Sequence, residues 1–297
     1  MRTTVIGSYP LRYEELGPQA VERAVEEQIA AGVELVSDGQ TRADMVSVYA
    51  SVLAGTELKS ETGLNERRLH IVGRVSLLDP SIFVEDFELA RRTAAGRAQV
   101  KAIVTGPVTL AFSSILETKV YSGYRDRTLY TDLSNALLGI AKELEKAGAR
   151  HFQIDEPFFS VGAPMDLAQE AVEAVATQLH GEMALHVCGD VSNVFDRLLS
   201  FKGVRILSHG FAGTPGNLAL VTREKLEKAE KLLGFGCVDS ASETVEDEAA
   251  VAAILRRGVG LAGKQNLVVH PDCGLRALPH DVAKAKLELM CRASKSI

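Results

Sequence analysis

The sequence predicts a (β/α)8 TIM barrel, an α/β fold in which eight parallel strands alternate with helices around a closed ring. Short β-branched or apolar runs alternate with amphipathic helical stretches eight times along the chain. Several of those helical stretches close on glycine (Gly32, Gly148, Gly258), the residue a helix C-cap favours. The turn after the first run, Ile6-Gly7-Ser8-Tyr9-Pro10, lacks the G-x-G-x-x-G spacing that a doubly wound open sheet would place there.

In order, strands are expected at 3–6, 35–37, 100–105, 151–154, 183–187, 204–208, 232–236 and 267–270. Each is a short run rich in Val, Ile, Leu, Met or Phe, and nearly all stop at Gly, Asp, Ser, His or Pro. Amphipathic helices are expected at 20–31, 131–147, 167–179, 222–231 and 244–257. The second connection is irregular. Between Leu53 and Val84 it holds Glu57-Leu58-Lys59-Ser60-Glu61-Thr62 and then Arg68-Leu69-His70-Ile71-Val72-Gly73, which reads as a hairpin-like insertion on the barrel rim. With no internal repeat, linker or low-complexity tract, residues 1–297 read as a single barrel domain.

The composition, 46% hydrophobic and 24% charged, is that of a globular chain with a large core. A net charge of −6 without a Lys/Arg cluster argues against nucleic acid or an anionic membrane as partner. No signal peptide or long apolar run is present, so a cytoplasmic location is expected. Four cysteines (Cys188, Cys237, Cys273, Cys291) are too few for a disulfide scaffold of this size.

Two motifs carry chemistry: Leu185-His186-Val187-Cys188-Gly189-Asp190 and Val269-His270-Pro271-Asp272-Cys273-Gly274-Leu275. His186 and Cys188 stand two apart at the end of an apolar run, so on a strand both leave the same face. Cys273 ends another such run. One imidazole and two thiolates suit zinc, and three protein ligands with an open position is the catalytic rather than the structural pattern. The competing reading is two buried structural cysteines and a satisfied core histidine. The strand ends favour a site. They read Gly7-Ser8, Asp38-Gly39-Gln40, Gly106-Pro107, Asp155-Glu156-Pro157, His186 with Cys188, Ser208-His209-Gly210, Asp239-Ser240 and Asp272-Cys273, polar residues at the mouth where barrel enzymes keep their chemistry.

These residues, together with Asp38-Gly39-Gln40-Thr41-Arg42-Ala43-Asp44, Thr105-Gly106-Pro107-Val108-Thr109 and Gln153-Ile154-Asp155-Glu156-Pro157, resemble the catalytic barrel of the cobalamin-independent methionine synthase family over nearly the whole chain. The resemblance implies a zinc-dependent methyltransferase with one zinc per chain held by His186, Cys188 and Cys273. It implies L-homocysteine as methyl acceptor and methionine as product. Zinc would bind the acceptor sulfur deprotonated, and only the thiolate is a useful nucleophile. Ile6, Gly7 and Ser8 would contact the amino-acid part of homocysteine, and Asp155 its α-ammonium. Gln40 stands where the long enzymes carry a glutamate. Glu156 is expected as the surface member of an acidic pair.

The family's fourth zinc ligand is a glutamate 22 residues beyond the cysteine of His-x-Cys, and the same count from Cys188 reaches Gly210. The fourth position should then fall to water or substrate. His209 is assigned to packing or to the surroundings of the metal, because strand alternation turns it to the opposite face. The long folate-using members add an N-terminal barrel not included in these 297 residues and a histidine near strand seven, where this chain reads Cys237-Val238-Asp239-Ser240-Ala241-Ser242; the chain also has no tryptophan to stack on a pteridine. It therefore resembles the short single-barrel forms, with methylcobalamin on a corrinoid protein as the expected methyl donor rather than methyltetrahydrofolate. The rival readings are methylation of another thiol such as coenzyme M, which Asp155 disfavours, and a degenerate barrel that binds a thiol or corrinoid partner without turnover.

Overall fold

The computed structural model describes residues 1–60 and 67–297. Seven strands run in parallel: β1 (Arg2–Thr3), β6 (Ala102–Thr105), β8 (His151–Asp155), β9 (Glu182–His186), β10 (Ile206–Gly210), β11 (Leu232–Gly236) and β12 (Leu267–His270). Their hydrogen-bonded order is β1-β12-β11-β10-β9-β8-β6. The edges of this sheet are joined through β2 (Leu35–Val36) and β5 (Gln99–Val100), which pair in parallel. Thr4 bridges Leu35 on one side. On the other, the Lys101 N–H donates to Val36 O across 2.9 Å, just where β5 passes into β6. The ring of eight strands is thereby closed, as the alternating pattern predicts.

Helices α2 (Gln19–Ala31), α3 (Ser81–Ala94), α5 (Arg127–Lys146), α6 (Met165–Ala176), α9 (Glu248–Ala262) and α10 (His280–Lys295) are the longer helices packed around the ring, with short α1 (Tyr13–Leu16), α4 (Pro107–Ser113), α7 (Phe195–Leu198) and α8 (Arg223–Lys228) between them. Among the described residues no helix is long and apolar enough to cross a membrane. The outward residues of each strand fill the strand–helix core: Phe152 and Ile154, Met183 and Leu185, Leu207, Leu233 and Phe235, Val269. The alternate, inward residues include Lys101, Gln153, Asp155, His186, Ser208 and His270, all buried and all polar. Period-two alternation thus sorts the chain into an apolar outer face and a polar channel wall.

The irregular second connection contains β3 (Leu53–Ser60) and β4 (Arg67–Leu77), paired antiparallel, with β4 also pairing in parallel with β7 (Ile115–Leu116). Glu61 and Thr62 of the expected insertion lie outside the described residues.

Two expectations change and one holds. The first strand ends at Thr3 rather than Ile6, because the carbonyls of Val5 and Ile6 are taken by side chains: Lys101 Nζ donates to Val5 O and Gln153 Nε2 to Ile6 O. Gly258 is no cap. It lies inside α9, where a Cβ would meet the Phe235 ring at 3.0 Å, so its bareness lets the helix approach the sheet, and the helix closes at Gly263. Gly32 does cap α2, at φ 98° in the left-handed region.

At the floor of the barrel Glu182 accepts from Arg2 and lies 3.2 Å from His151 Nδ1, tying β9 to β1 and β8. The His151 hydrogen bond and the Arg2 guanidinium pull its pKa down to about 2. A depressed carboxylate stabilises the fold above its unfolded pKa near 4.5 and loses that contribution as pH falls towards 2. Glu182→Gln should cost about 1–2 kcal/mol in urea denaturation at pH 7, after allowance for solvent screening, with the gap to the parent narrowing as the pH is lowered towards 3.

Candidate active site

His186 closes β9, and Cys188 follows two residues past the strand end, on the same side. Its Sγ lies 2.9 Å from His186 Nε2 and 2.8 Å from Cys273 Sγ. Among the described residues His186, Cys188 and Cys273 form the one group of three whose ligand atoms converge, all within 4.8 Å of one another. The two motifs, far apart in sequence, therefore meet at the C-terminal mouth of the ring. The Cys188 thiol and the His186 imidazole hold the Cys273 thiol well below its ordinary pKa, while the same Cys273 contact and burial raise Cys188. Two soft sulfurs and one imidazole nitrogen, close enough to share one ion, fit zinc.

The loops that carry these ligands are pinned by backbone hydrogen bonds. Asn217 Nδ2 donates to Gly189 O and Gly210 O, each at 2.9 Å, and joins the turn after Cys188 to the end of β10. Next to Cys273, Asp272 Oδ1 accepts from Phe211 N at 2.9 Å and Ala212 N at 3.1 Å, and Oδ2 accepts from Gly213 N. Leu275 N donates to Ser8 O at 2.8 Å, which brings the first strand's end against the Cys273 loop.

The expected substrate residues gather around this mouth. An added Cβ on Gly7 would meet Gln40 Oε1 at 2.6 Å, and one on Gly274 would meet Ser8 Oγ at 2.1 Å. Gln40 holds φ 46°, a conformation a residue with a side chain rarely adopts. Asp38 Oδ1 secures it by accepting from Gln40 N at 2.9 Å, and the Arg276 guanidinium donates to the carbonyls of Gln40 and Ala43. Asp155 ends β8 beside His186 in the strand register. Its Oδ1 accepts from Gln153 Nε2 at 2.6 Å, while Lys101 Nζ donates to Gln153 Oε1. Burial pushes the Asp155 carboxyl up to about 6, against the pull of His186, Gln153 and Lys101.

Glu156 is not on the surface. It is fully buried and accepts from Val108 N (3.0 Å), Thr109 N (2.8 Å) and Thr109 Oγ1 (2.7 Å), satisfying the free N–H groups that open α4. A strand-end pair of acids turns one carboxylate inward and the other along the rim, and the helix N-terminus there takes the second. His209 points outward: its Nδ1 faces Val187 O at 3.1 Å and its ring lies edge-on to Phe195. Gly210 faces inward, and the space beside it belongs to Asp272, whose Cγ would stand 2.9 Å from an added Cβ. Cys237 and Cys291 are buried away from the cluster. Gln153 and Lys101 were not singled out from sequence. Their signal was a polar residue at even spacing from Asp155 or on the facing strand, inside an apolar run.

A closed barrel with a convergent ligand set and a buried carboxylate at its C-terminal mouth has the architecture of a barrel enzyme. Residues 11–296 match the family model of the cobalamin-independent synthase catalytic domain. Methionine synthase of Methanothermobacter thermautotrophicus is 38% identical over 318 aligned positions, covering 99% of each chain, and that of Methanocaldococcus jannaschii is 36% identical, covering 100% of this chain and 99% of its own. The solved structure of a B12-independent methionine synthase from Shewanella sp. W3-18-1 in complex with selenomethionine superimposes with a TM-score of 0.84 at 25% identity, covering 99% of this chain and 96% of that one. The chain belongs to the cobalamin-independent methionine synthase family and is a methyltransferase.

Gly210→Ala should lower stability by about 1–3 kcal/mol, because the new methyl displaces the carboxylate that holds three backbone N–H groups next to Cys273. Urea denaturation checks this, and a variant as stable as the parent would mean that Asp272 has room to move.

Proposed function

We propose that the protein methylates the thiol of L-homocysteine to form methionine, with one zinc ion held by His186, Cys188 and Cys273 and a methylcobalamin-bearing corrinoid protein as donor. The observation that carries this reading is the convergence of three soft ligand atoms within 4.8 Å at the barrel mouth, next in register to the buried Asp155. The relatives' names and the selenomethionine complex of the Shewanella protein support an amino-acid acceptor. Zinc bound there would supply a Lewis acid that lowers the pKa of a substrate thiol, which near ~8.5 is otherwise mostly protonated at neutral pH.

The chain's own residues provide orientation. Asp155, ionised above pH 6, offers its carboxylate to the α-ammonium and is held on station by Gln153 and Lys101. Gln40, Gly7 and Ser8 wall the amino-acid end, and Ile6 is fixed there by the bond from Gln153 to its carbonyl. Holding acceptor and donor in line makes the transfer effectively unimolecular. The new S–C bond forms as the donor–CH3 bond breaks, and the electron pair stays with cobalt. No general acid is needed, in keeping with the absence of histidine from 237–242 and of tryptophan from the chain.

The deciding experiment is a turnover assay with homocysteine and either methylcobalamin or methyltetrahydrofolate. The parent should make methionine from the corrinoid and little from the folate, while Cys188→Ala and Cys273→Ala lose both zinc and activity and Cys237→Ala and Cys291→Ala keep both. Efficient folate turnover overturns the donor assignment, and full activity without metal overturns the zinc assignment.

Asp155→Asn should weaken homocysteine binding by on the order of 1.5–3 kcal/mol at pH 7.5. In the parent the carboxylate protonates as pH falls through about 6, so affinity should drop there. The difference between parent and Asn variant should therefore shrink below that pH. Calorimetric titration from pH 5 to 8 reads both effects, and equal affinities at pH 7.5 would remove Asp155 from the ammonium site.

A further inference from the structure

One side-chain amide joins the two walls of the amino-acid end of the site. Gln153 stands two residues before Asp155 on β8, so both side chains enter the channel. Its Nε2 lies 2.7 Å from Ile6 O, beyond the end of β1, and 2.6 Å from Asp155 Oδ1. Its Oε1 accepts from Lys101 Nζ, which also donates to Val5 O. Lys101, Gln153 and Asp155 are all buried.

The direction of these bonds follows from the backbone. A carbonyl oxygen only accepts, so the atom of Gln153 that faces Ile6 O is the donor Nε2, whatever the charge on Asp155. That leaves Oε1 for Lys101. Turned over, the amide would set oxygen against the Ile6 carbonyl and NH2 against the donors of Lys101. The two N–H groups of one nitrogen are thus divided between the chain after β1 and Asp155.

Planarity of the peptide unit extends the effect. The carbonyl of Ile6 and the N–H of Gly7 share one plane and point opposite ways, as do the carbonyl of Val5 and the N–H of Ile6. Holding the two carbonyls therefore aims the two N–H groups in the segment that leads into Gly7 and Ser8. Lys101, between β5 and β6, supplies the one hold and Gln153 the other.

We propose that Lys101 and Gln153 are positioning residues that lock the Ile6–Gly7 backbone and the Asp155 carboxyl at one separation, and that this clamp selects a ligand carrying an α-amino-acid group over one without its ammonium. The proposal rests on the reading of Ile6, Gly7, Ser8 and Asp155 as the amino-acid subsite. It depends on neither the metal nor the methyl donor.

Calorimetric titration of the whole chain with L-methionine and with 4-(methylthio)butyrate, the same molecule without its amino group, tests it at pH 7.5. The parent should bind methionine roughly 10–100-fold more tightly than the analogue. In Gln153→Glu, which keeps the size and the acceptor for Lys101 but replaces the shared donor, the methionine dissociation constant should rise roughly tenfold while that of the analogue changes little. Lys101→Met, which keeps the length without the donors, should do the same. Each variant makes the site more negative by one charge, which by itself would tighten an ammonium ligand, so weaker methionine binding reads position rather than charge. Parental selectivity in both variants, tighter methionine binding, or an equal loss for the two ligands would overturn the clamp. A parent chain that does not distinguish the two ligands would sink the amino-acid subsite itself, and the proposal with it.

Discussion

The structure depends on one geometric constraint: parallel strands closed into a ring, with side chains alternating strictly between helix side and channel side. Because the strands pair in fixed register, Thr105, Asp155, His186, Ser208 and Gly234 fall on one level around the barrel. A one-residue slip of β9 would send His186 into the helix layer and bring an apolar residue to the mouth. The outward residues are apolar and pack under the helices. That packing fixes the register, and the register in turn places the site.

A polar channel is costly unless its groups are paired. Here the pairing is explicit. Lys101 is neutralised in effect by Asp155 across Gln153, whose amide bonds both and whose nitrogen also serves the Ile6 carbonyl. Asp272 has three backbone donors, and Glu156 has two backbone N–H groups and a hydroxyl. Asp272 thus orders the turn beside Cys273, and Glu156 the start of α4. Gly210 and Asp272 form a matched pair in this scheme: the residue that lacks a side chain adjoins the carboxylate that fills the space.

Much of this was legible in the sequence. Short β-branched or apolar runs located the eight strands, and the i, i+2 spacing of His186 and Cys188 placed both on one face. The same parity turned His209 outward, where it meets Phe195. What sequence could not supply was contact across strands. Glu156 looked like a rim carboxylate because nothing in its own neighbourhood reveals that α4 begins against it. Gly258 looked like a cap because only the nearness of Phe235 shows why a bare residue is needed in mid-helix. The first strand was read two or three residues too long, since Val5 and Ile6 are β-formers whose carbonyls happen to be taken by side chains from the third and fourth strands. The space beside Gly210 was countable but not visible, because the residue that fills it arrives from β12's far end.

The central claim is that His186, Cys188 and Cys273 together hold one zinc ion. X-ray absorption at the zinc edge of the purified chain measures this directly. The account predicts about one zinc per chain, with two sulfur donors at roughly 2.3 Å and nitrogen or oxygen donors near 2.0–2.1 Å. Zinc far below one per chain after loading, or a first shell with no sulfur in it, would contradict it.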